Sequence, residues 1–65
     1  MPGVPELWVD RAVTLMVLEK HDAALSDLDE AIRLQPDQVE AHIYRAVALR
    51  RLDRLKDAEK AINIV

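Results

Sequence analysis

Apolar residues recur at helical spacing along nearly the whole chain, in four separate runs. In each run they return every three or four residues, which predicts an amphipathic helix. The runs cover residues 5–18, 22–34, 38–52 and 55–65. Pro36 separates the second run from the third, because proline removes a backbone hydrogen bond and clashes with the preceding turn. The other two connections are so short that the helices they join must run antiparallel. The pattern therefore predicts an all-α fold with four helices in two antiparallel helical hairpins.

The two predicted hairpins repeat one sequence pattern at an offset of 34 residues. Residues 5–31 align with residues 39–65 and share seven identical pairs. The pairs are Glu6/Glu40, Arg11/Arg45, Ala12/Ala46, Val13/Val47, Leu15/Leu49, Leu18/Leu52 and Ala24/Ala58. Such a period is typical of helical repeat proteins. The sequence therefore predicts an N-terminal tail at 1–4, a first repeat at 5–38 and a second, shorter repeat at 39–65.

This period, with two helices in each copy and a proline at the seam, resembles the tetratricopeptide repeat (TPR). The residues at the packing positions of that family are Trp8, Ala12, Leu15, Ala24, Leu28, Ala31, Pro36, Ala46, Leu49 and Ala58. The resemblance covers residues 5–65 and implies a fragment of an α-solenoid. Small residues at such positions let helix axes approach closely. A bulky residue at Ala24 or Ala46 is therefore expected to overpack its hairpin and to cost about 1–3 kcal/mol.

The chain departs from the family pattern at the turn inside each hairpin, where the family usually carries glycine. Glu19 and Asp53 stand at these two positions. Aspartate adopts the left-handed backbone conformation more readily than glutamate does. The second turn is therefore expected to form at a lower cost than the first.

The second copy stops at Val65, before a full repeat is complete. Repeats of this kind bury their apolar faces against neighbours, and about three are usually needed for stability. Ile62, Ile64 and Val65 are therefore expected to form an open-end interface. We expect self-association into a homo-oligomer, and the alternative is a monomeric fragment of a longer array.

The resemblance also implies a groove that holds a protein or peptide. Its candidate lining residues are Val9, Val13, Met16, Val17, Ile43, Val47, Arg50 and Arg51. Such an apolar groove with a basic edge would suit an amphipathic helix. The alternative is that its valines are buried in an oligomer core. The clamp with which one TPR subset binds acidic chaperone tails is absent, because Val9, Val13 and Tyr44 stand at three of its positions.

Composition and charge narrow the function classes further. The chain has no cysteine and a net charge of -3, made up of -5 in residues 1–38 and +2 in residues 39–65. No apolar run approaches the ~20 residues of a membrane span, so we expect a soluble, cytoplasmic protein. The basic residues at 50–56 lack neighbouring aromatic side chains for base stacking, which argues against a nucleic-acid partner.

The sequence carries no pattern typical of catalysis, of a metal site or of cofactor binding. His21 and His42 are expected in a turn and at a packing position, and the acidic residues Asp27, Asp29 and Glu30 on the solvent face of the second helix. Two functions therefore stay open. One is a non-catalytic protein-binding module, and the other is a structural self-assembly unit, excised or engineered, with no external ligand.

Overall fold

The chain forms three helices in a computed structural model that describes the backbone of residues 3–63 and the side chains of residues 3–56. Helix α1 spans Pro5–Val17, α2 spans His21–Leu34 and α3 spans Val39–Asn63. Helices α1 and α2 form a tight hairpin, and α3 packs mainly against α2. Within residues 3–63 there is no strand. The all-α prediction is confirmed, whereas the prediction of four helices is wrong.

The helical backbone is interrupted around Pro36, between α2 and α3. Gln35 is extended, with φ of -146°, as expected for a residue before proline. Helix α2 therefore ends at Leu34, and α3 begins at Val39. His42 is exposed, and its Nε2–H donates a hydrogen bond of 2.7 Å to the carbonyl oxygen of Pro36. This side chain ties the first turn of α3 to the seam instead of packing in the core.

The turn between α1 and α2 is built around Glu19, whose φ is +61°. The Lys20 N–H donates to the Leu15 carbonyl at 2.8 Å, and the Glu19 N–H donates to the Met16 carbonyl at 3.0 Å. These two bonds define a Schellman motif, in which the residue after the C-cap is left-handed and usually glycine. A glutamate therefore occupies a position that favours glycine.

Replacing Glu19 with glycine is expected to stabilise the hairpin. A left-handed conformation costs a non-glycine residue about 1–2 kcal/mol, and glycine avoids this cost. Part of the gain is offset because glycine increases the conformational entropy of the unfolded chain. We expect Glu19→Gly to raise the free energy of unfolding by about 0.5–1 kcal/mol in urea titrations followed by circular dichroism. Asp22→Gly is the matched control: it places glycine in the first turn of α2 and is expected to lower stability by up to about 1 kcal/mol. A less stable Glu19→Gly variant would contradict this account of the turn.

The second predicted turn, at Asp53, does not form. Helix α3 runs through this residue to Asn63. Leucine, arginine and lysine flank Asp53, and all of them favour the helix. A turn would force Asp53 into the left-handed region, whereas helix continuation adds one backbone hydrogen bond per residue. The expectation that the second turn forms more readily than the first is therefore wrong.

The hydrophobic core lies where the three helices meet. Its buried members are Val9, Ala12, Met16, Ala24, Leu28, Ala31, Ala41 and Ala48. Trp8 and Leu15 are half-buried and pack against this cluster, while Pro36 is exposed at the seam. The five alanines let the helices approach closely, and among the side chains that the structure describes Leu28 is the largest that is fully buried.

The packing expected of the second hairpin is missing from this conformation. Ala46 is exposed, and Leu49 is 39% exposed. Ala46 is the repeat equivalent of Ala12, which is fully buried. The reason is the straight course of α3: within residues 3–56 no helix folds back over this face. The overpacking expected at Ala46 therefore does not apply to this conformation.

Candidate protein-interaction surfaces

The candidate groove residues divide by burial into two groups. Val9 and Met16 belong to the core, so they present no surface to a partner in this conformation. Val13 and Val47, which are repeat equivalents, are half-buried and pack against the core. The fold therefore buries Val9 and Met16 and partly buries Val13 and Val47, all four of which were assigned to the groove.

The other groove candidates are at the surface. Val17 is 76% exposed on α1, and Ile43 is 56% exposed on α3. Arg50 and Arg51 are exposed farther along α3. Each of these two aliphatic side chains lies four residues from a half-buried valine on its own helix, Val13 on α1 and Val47 on α3. Val17, Ile43, Arg50 and Arg51 are called the groove residues below.

An ion pair that the sequence analysis missed joins α1 to α2. Asp27 was expected on the solvent face, but it is buried, and this expectation is wrong. Arg11 donates to it twice, from Nε to Oδ2 at 2.6 Å and from Nη2 to Oδ1 at 2.7 Å. The Arg11 guanidinium also lies 5.2 Å from the centroid of the Trp8 ring. The hydrogen bonds to Asp27, and then its negative charge, raise the pKa of Arg11.

The repeat equivalent of Arg11 makes the corresponding link on the other side of α2. Arg45 Nε on α3 donates to Asp29 Oδ1 at 2.8 Å. Arg11 and Arg45 therefore both tie their own helix to α2, although the repeat equivalent of Asp27 is Ala61 and not Asp29. The signal available in the sequence was this identity at a charged position, since only Glu6/Glu40 and Arg11/Arg45 are charged among the seven identical pairs.

A third ion pair lies within α2, at its exposed C-terminal turn. Arg33 Nε donates to both carboxylate oxygens of Glu30 at 3.1 Å. These hydrogen bonds lower the pKa of Glu30 from its ordinary value of 4.5, with burial opposing the change. Because the folded-state pKa is the lower one, the pair stabilises the fold above pH 4.5, and this contribution is lost as pH falls through the folded-state value. At an exposed site the contribution is small.

An open cleft of about 500 Å³ lies between the α1–α2 turn and α3. Its lining residues are Glu19, Lys20, His21, Asp22, Ala23, Leu52, Leu55 and Lys56. His21 is the first residue of α2 and is buried, and its Nδ1 has no hydrogen-bond partner in the part of the chain that the structure describes. The cleft carries both signs of charge, so it selects neither an anion nor a cation.

Two absences apply to the described residues only. Residues 3–56 contain no cluster of histidine, aspartate and glutamate side chains that would hold a metal ion. No helix within the described chain is both long enough and apolar enough to cross a membrane. The side chains of Ala58, Ile62, Ile64 and Val65, assigned to repeat packing or to the open end, lie outside the described residues.

Comparison with known proteins decides the family. The sequence profile of the tetratricopeptide repeat matches residues 9–64. The chain belongs to the tetratricopeptide repeat family. The matched range includes both copies of the internal repeat, so the second copy is part of the match although its two helices are joined into one in this conformation.

Two curated relatives share this TPR sequence. Over 55 residues the chain is 36% identical to a protein named STIP1 homolog from Dictyostelium discoideum. This alignment covers 85% of the present chain and 10% of the relative. Over 63 residues the chain is 30% identical to a protein named SGT1 homolog from Oryza sativa subsp. japonica. This alignment covers 97% of the present chain and 17% of the relative. The chain thus spans less than a fifth of either relative. No solved structure matches the sequence significantly.

Proposed function

We propose that this TPR chain is a non-catalytic interaction module that binds an amphipathic helix through the groove residues. Membership of the TPR family implies binding of a protein or peptide. The observation that carries the finer proposal is the exposure of Val17 and Ile43 on two helices that share one core. Burying one large aliphatic side chain contributes about 1.5–3 kcal/mol, so two of them provide a useful anchor.

The charge near the groove favours a partner with acidic residues beside its apolar face. Arg50 and Arg51 are both exposed and lie one to two turns beyond Ile43 and Val47 on α3. Electrostatic complementarity of this kind contributes more to the association rate and to specificity than to affinity. A helix with leucine on one face and glutamate on its flank has both properties.

The proposal also includes self-association of two copies of the chain through the C-terminal part of α3. A chain of this size buries only about 60% of its unfolded surface, so its own core is small. The alternative is a structural repeat unit that assembles with itself and takes no external ligand. These two possibilities differ in whether an added peptide binds.

The test is a titration of the chain into a fluorescent amphipathic peptide helix built of leucine and glutamate, read by fluorescence anisotropy. We expect saturable binding that Val17→Asp and Ile43→Asp each weaken by tenfold or more, because each variant removes an apolar contact and adds repulsion. Leu18→Asp is the matched control: Leu18 is also exposed but is not a groove residue, so binding should be unchanged.

All three variants change exposed positions, so far-ultraviolet circular dichroism should show unchanged helix content. Equal loss of binding in all three variants would contradict the groove assignment. Absence of peptide binding by a chain that still self-associates would favour the purely structural alternative.

A further inference from the structure

One face of α3 is uncovered although its repeat equivalent on α1 is buried. Ala12 is fully buried in the first hairpin, whereas Ala46 is exposed. Leu15 is half-buried, and its equivalent Leu49 is 39% exposed. The residues that cover the α1 face belong to α2, so the equivalent cover for α3 is the segment aligned with α2.

That segment is residues 55–63, which aligns with residues 21–29 at the repeat offset. It is part of α3, so its backbone continues that helix and does not fold back over residues 46–49. His21, at the start of α2, is 4% exposed, whereas its equivalent Leu55 is 46% exposed. The uncovered face and its matching segment are therefore both present in one chain but do not meet within it.

We infer that two copies of the chain pair their α3 helices antiparallel, each copy placing residues 55–63 on the Ala46–Leu49 face of the other. This inference rests on the self-association proposed above and specifies its geometry. In the first hairpin Ala12 and Ala24 are buried in one core. The same register places Ala46 opposite Ala58 of the second copy and Leu49 opposite Leu55 of the second copy. Both pairs are centred on residue 52, so a two-fold axis passes near Leu52.

The second copy is favoured over folding back within one chain because of the backbone at Asp53. Folding back needs a left-handed residue there, and Asp53 is helical. Exchange between two copies needs no turn at all, since both α3 helices stay straight. The exchange is isologous and closes after two copies, so it produces a dimer and not a fibre.

The length of α3 supports the same conclusion. The molecule extends 47 Å along its longest axis and only 19 Å and 13 Å along the other two. Helices α1 and α2 have 13 and 14 residues, whereas α3 has 25 residues. This additional length of α3 is available for contact with a second copy of the chain.

The first experiment compares Asp53→Gly with Asp53→Ala by sedimentation equilibrium. We expect the unmodified chain to have twice its 7.4 kDa mass. Asp53→Gly favours the turn and weakens the helix, whereas Asp53→Ala favours the straight helix. The Kd of the dimer should therefore be about tenfold or more higher for Asp53→Gly than for Asp53→Ala, because each dimer contains two such positions. The inference would be overturned if the unmodified chain stayed monomeric. It would also be overturned if the dimers of the two variants had the same Kd.

The second experiment uses the absence of native cysteine. The double variant Ala46→Cys/Ala58→Cys is oxidised, denatured and weighed by mass spectrometry. Disulfides between copies would give a covalent dimer, as the inference requires. A disulfide within one chain would give an oxidised monomer and would overturn it.

Failure of this inference is distinguishable from failure of the proposed function. If Asp53→Gly becomes a monomer and still binds the leucine–glutamate peptide, the groove residues and the Ala46–Leu49 face act independently, and both proposals stand. If the oxidised double variant is a monomer while the peptide still binds, only the exchange is overturned. If the dimer forms through α3 and no peptide binds, only the peptide-binding proposal fails.

Discussion

Leu28→Ala is expected to remove a large part of the free energy of unfolding of the protein. Leu28 is the largest side chain in the described chain that is fully buried, and it lies in the centre of α2. Truncating a buried leucine costs about 2–5 kcal/mol, because apolar contacts are lost and because the cavity left behind closes only partly. At about 0.05–0.15 kcal/mol per residue, a chain of this size has a total stability of about 3–10 kcal/mol.

The measurement is urea unfolding at 25 °C, followed by circular dichroism and by the fluorescence of Trp8, the only tryptophan. Leu18→Ala is the control, since it removes the same atoms from a side chain that is exposed at the end of α1. We expect the control to change the free energy of unfolding by less than about 0.5 kcal/mol. Comparable losses for the two variants would show that α2 does not supply the centre of the core.

Ala24→Leu is expected to destabilise the hairpin by about 1–3 kcal/mol through overpacking. Ala24 lies on α2 and is fully buried against α1, so a larger side chain at this position would force the two helices apart. Leucine and alanine have similar intrinsic helix propensities, so packing dominates the change. The expected result is a lower urea midpoint with helix content retained in the absence of urea.

Ala23→Leu is the neighbouring control for this prediction. Ala23 is exposed on the same turn of α2, so its replacement should leave stability within about 0.5 kcal/mol of the unmodified chain. A neutral Ala24→Leu variant would mean that α1 and α2 are not in close contact at this position.

The repeat pattern was sufficient to predict the first hairpin. Apolar spacing, Pro5 at the start of α1 and Pro36 at the seam place α1 and α2 within one residue of their bounds in the structure. These signals are local, since each depends on the helical period or on the geometry of proline. The TPR resemblance added the buried alanines, because the family places small residues where helices approach closely.

The ion pair of Arg11 with Asp27 was not predictable from spacing alone. Asp27 has acidic neighbours in sequence, a pattern typical of a solvent-exposed helix face. Its burial follows from the distance between α1 and α2, which is small because Ala12 and Ala24 are small. The carboxylate is tolerated there because Arg11 makes two hydrogen bonds to it while its own guanidinium stays at the surface. Which aspartate an arginine reaches is decided by this packing.

The contrast between Glu19 and Asp53 separates what the sequence determined from what the tertiary structure decided. Local patterns in the sequence were sufficient for α1, for α2 and for the repeat that assigns the chain to the TPR family. Local preference favoured a turn at Asp53 over one at Glu19, and the structure has the opposite. The strained turn at Glu19 is retained because it brings α2 onto α1 and buries Leu28 and three alanines. Such a gain depends on contacts between residues distant in the chain, so the tertiary structure decided that the chain turns at Glu19 and that the Ala46–Leu49 face of α3 stays exposed.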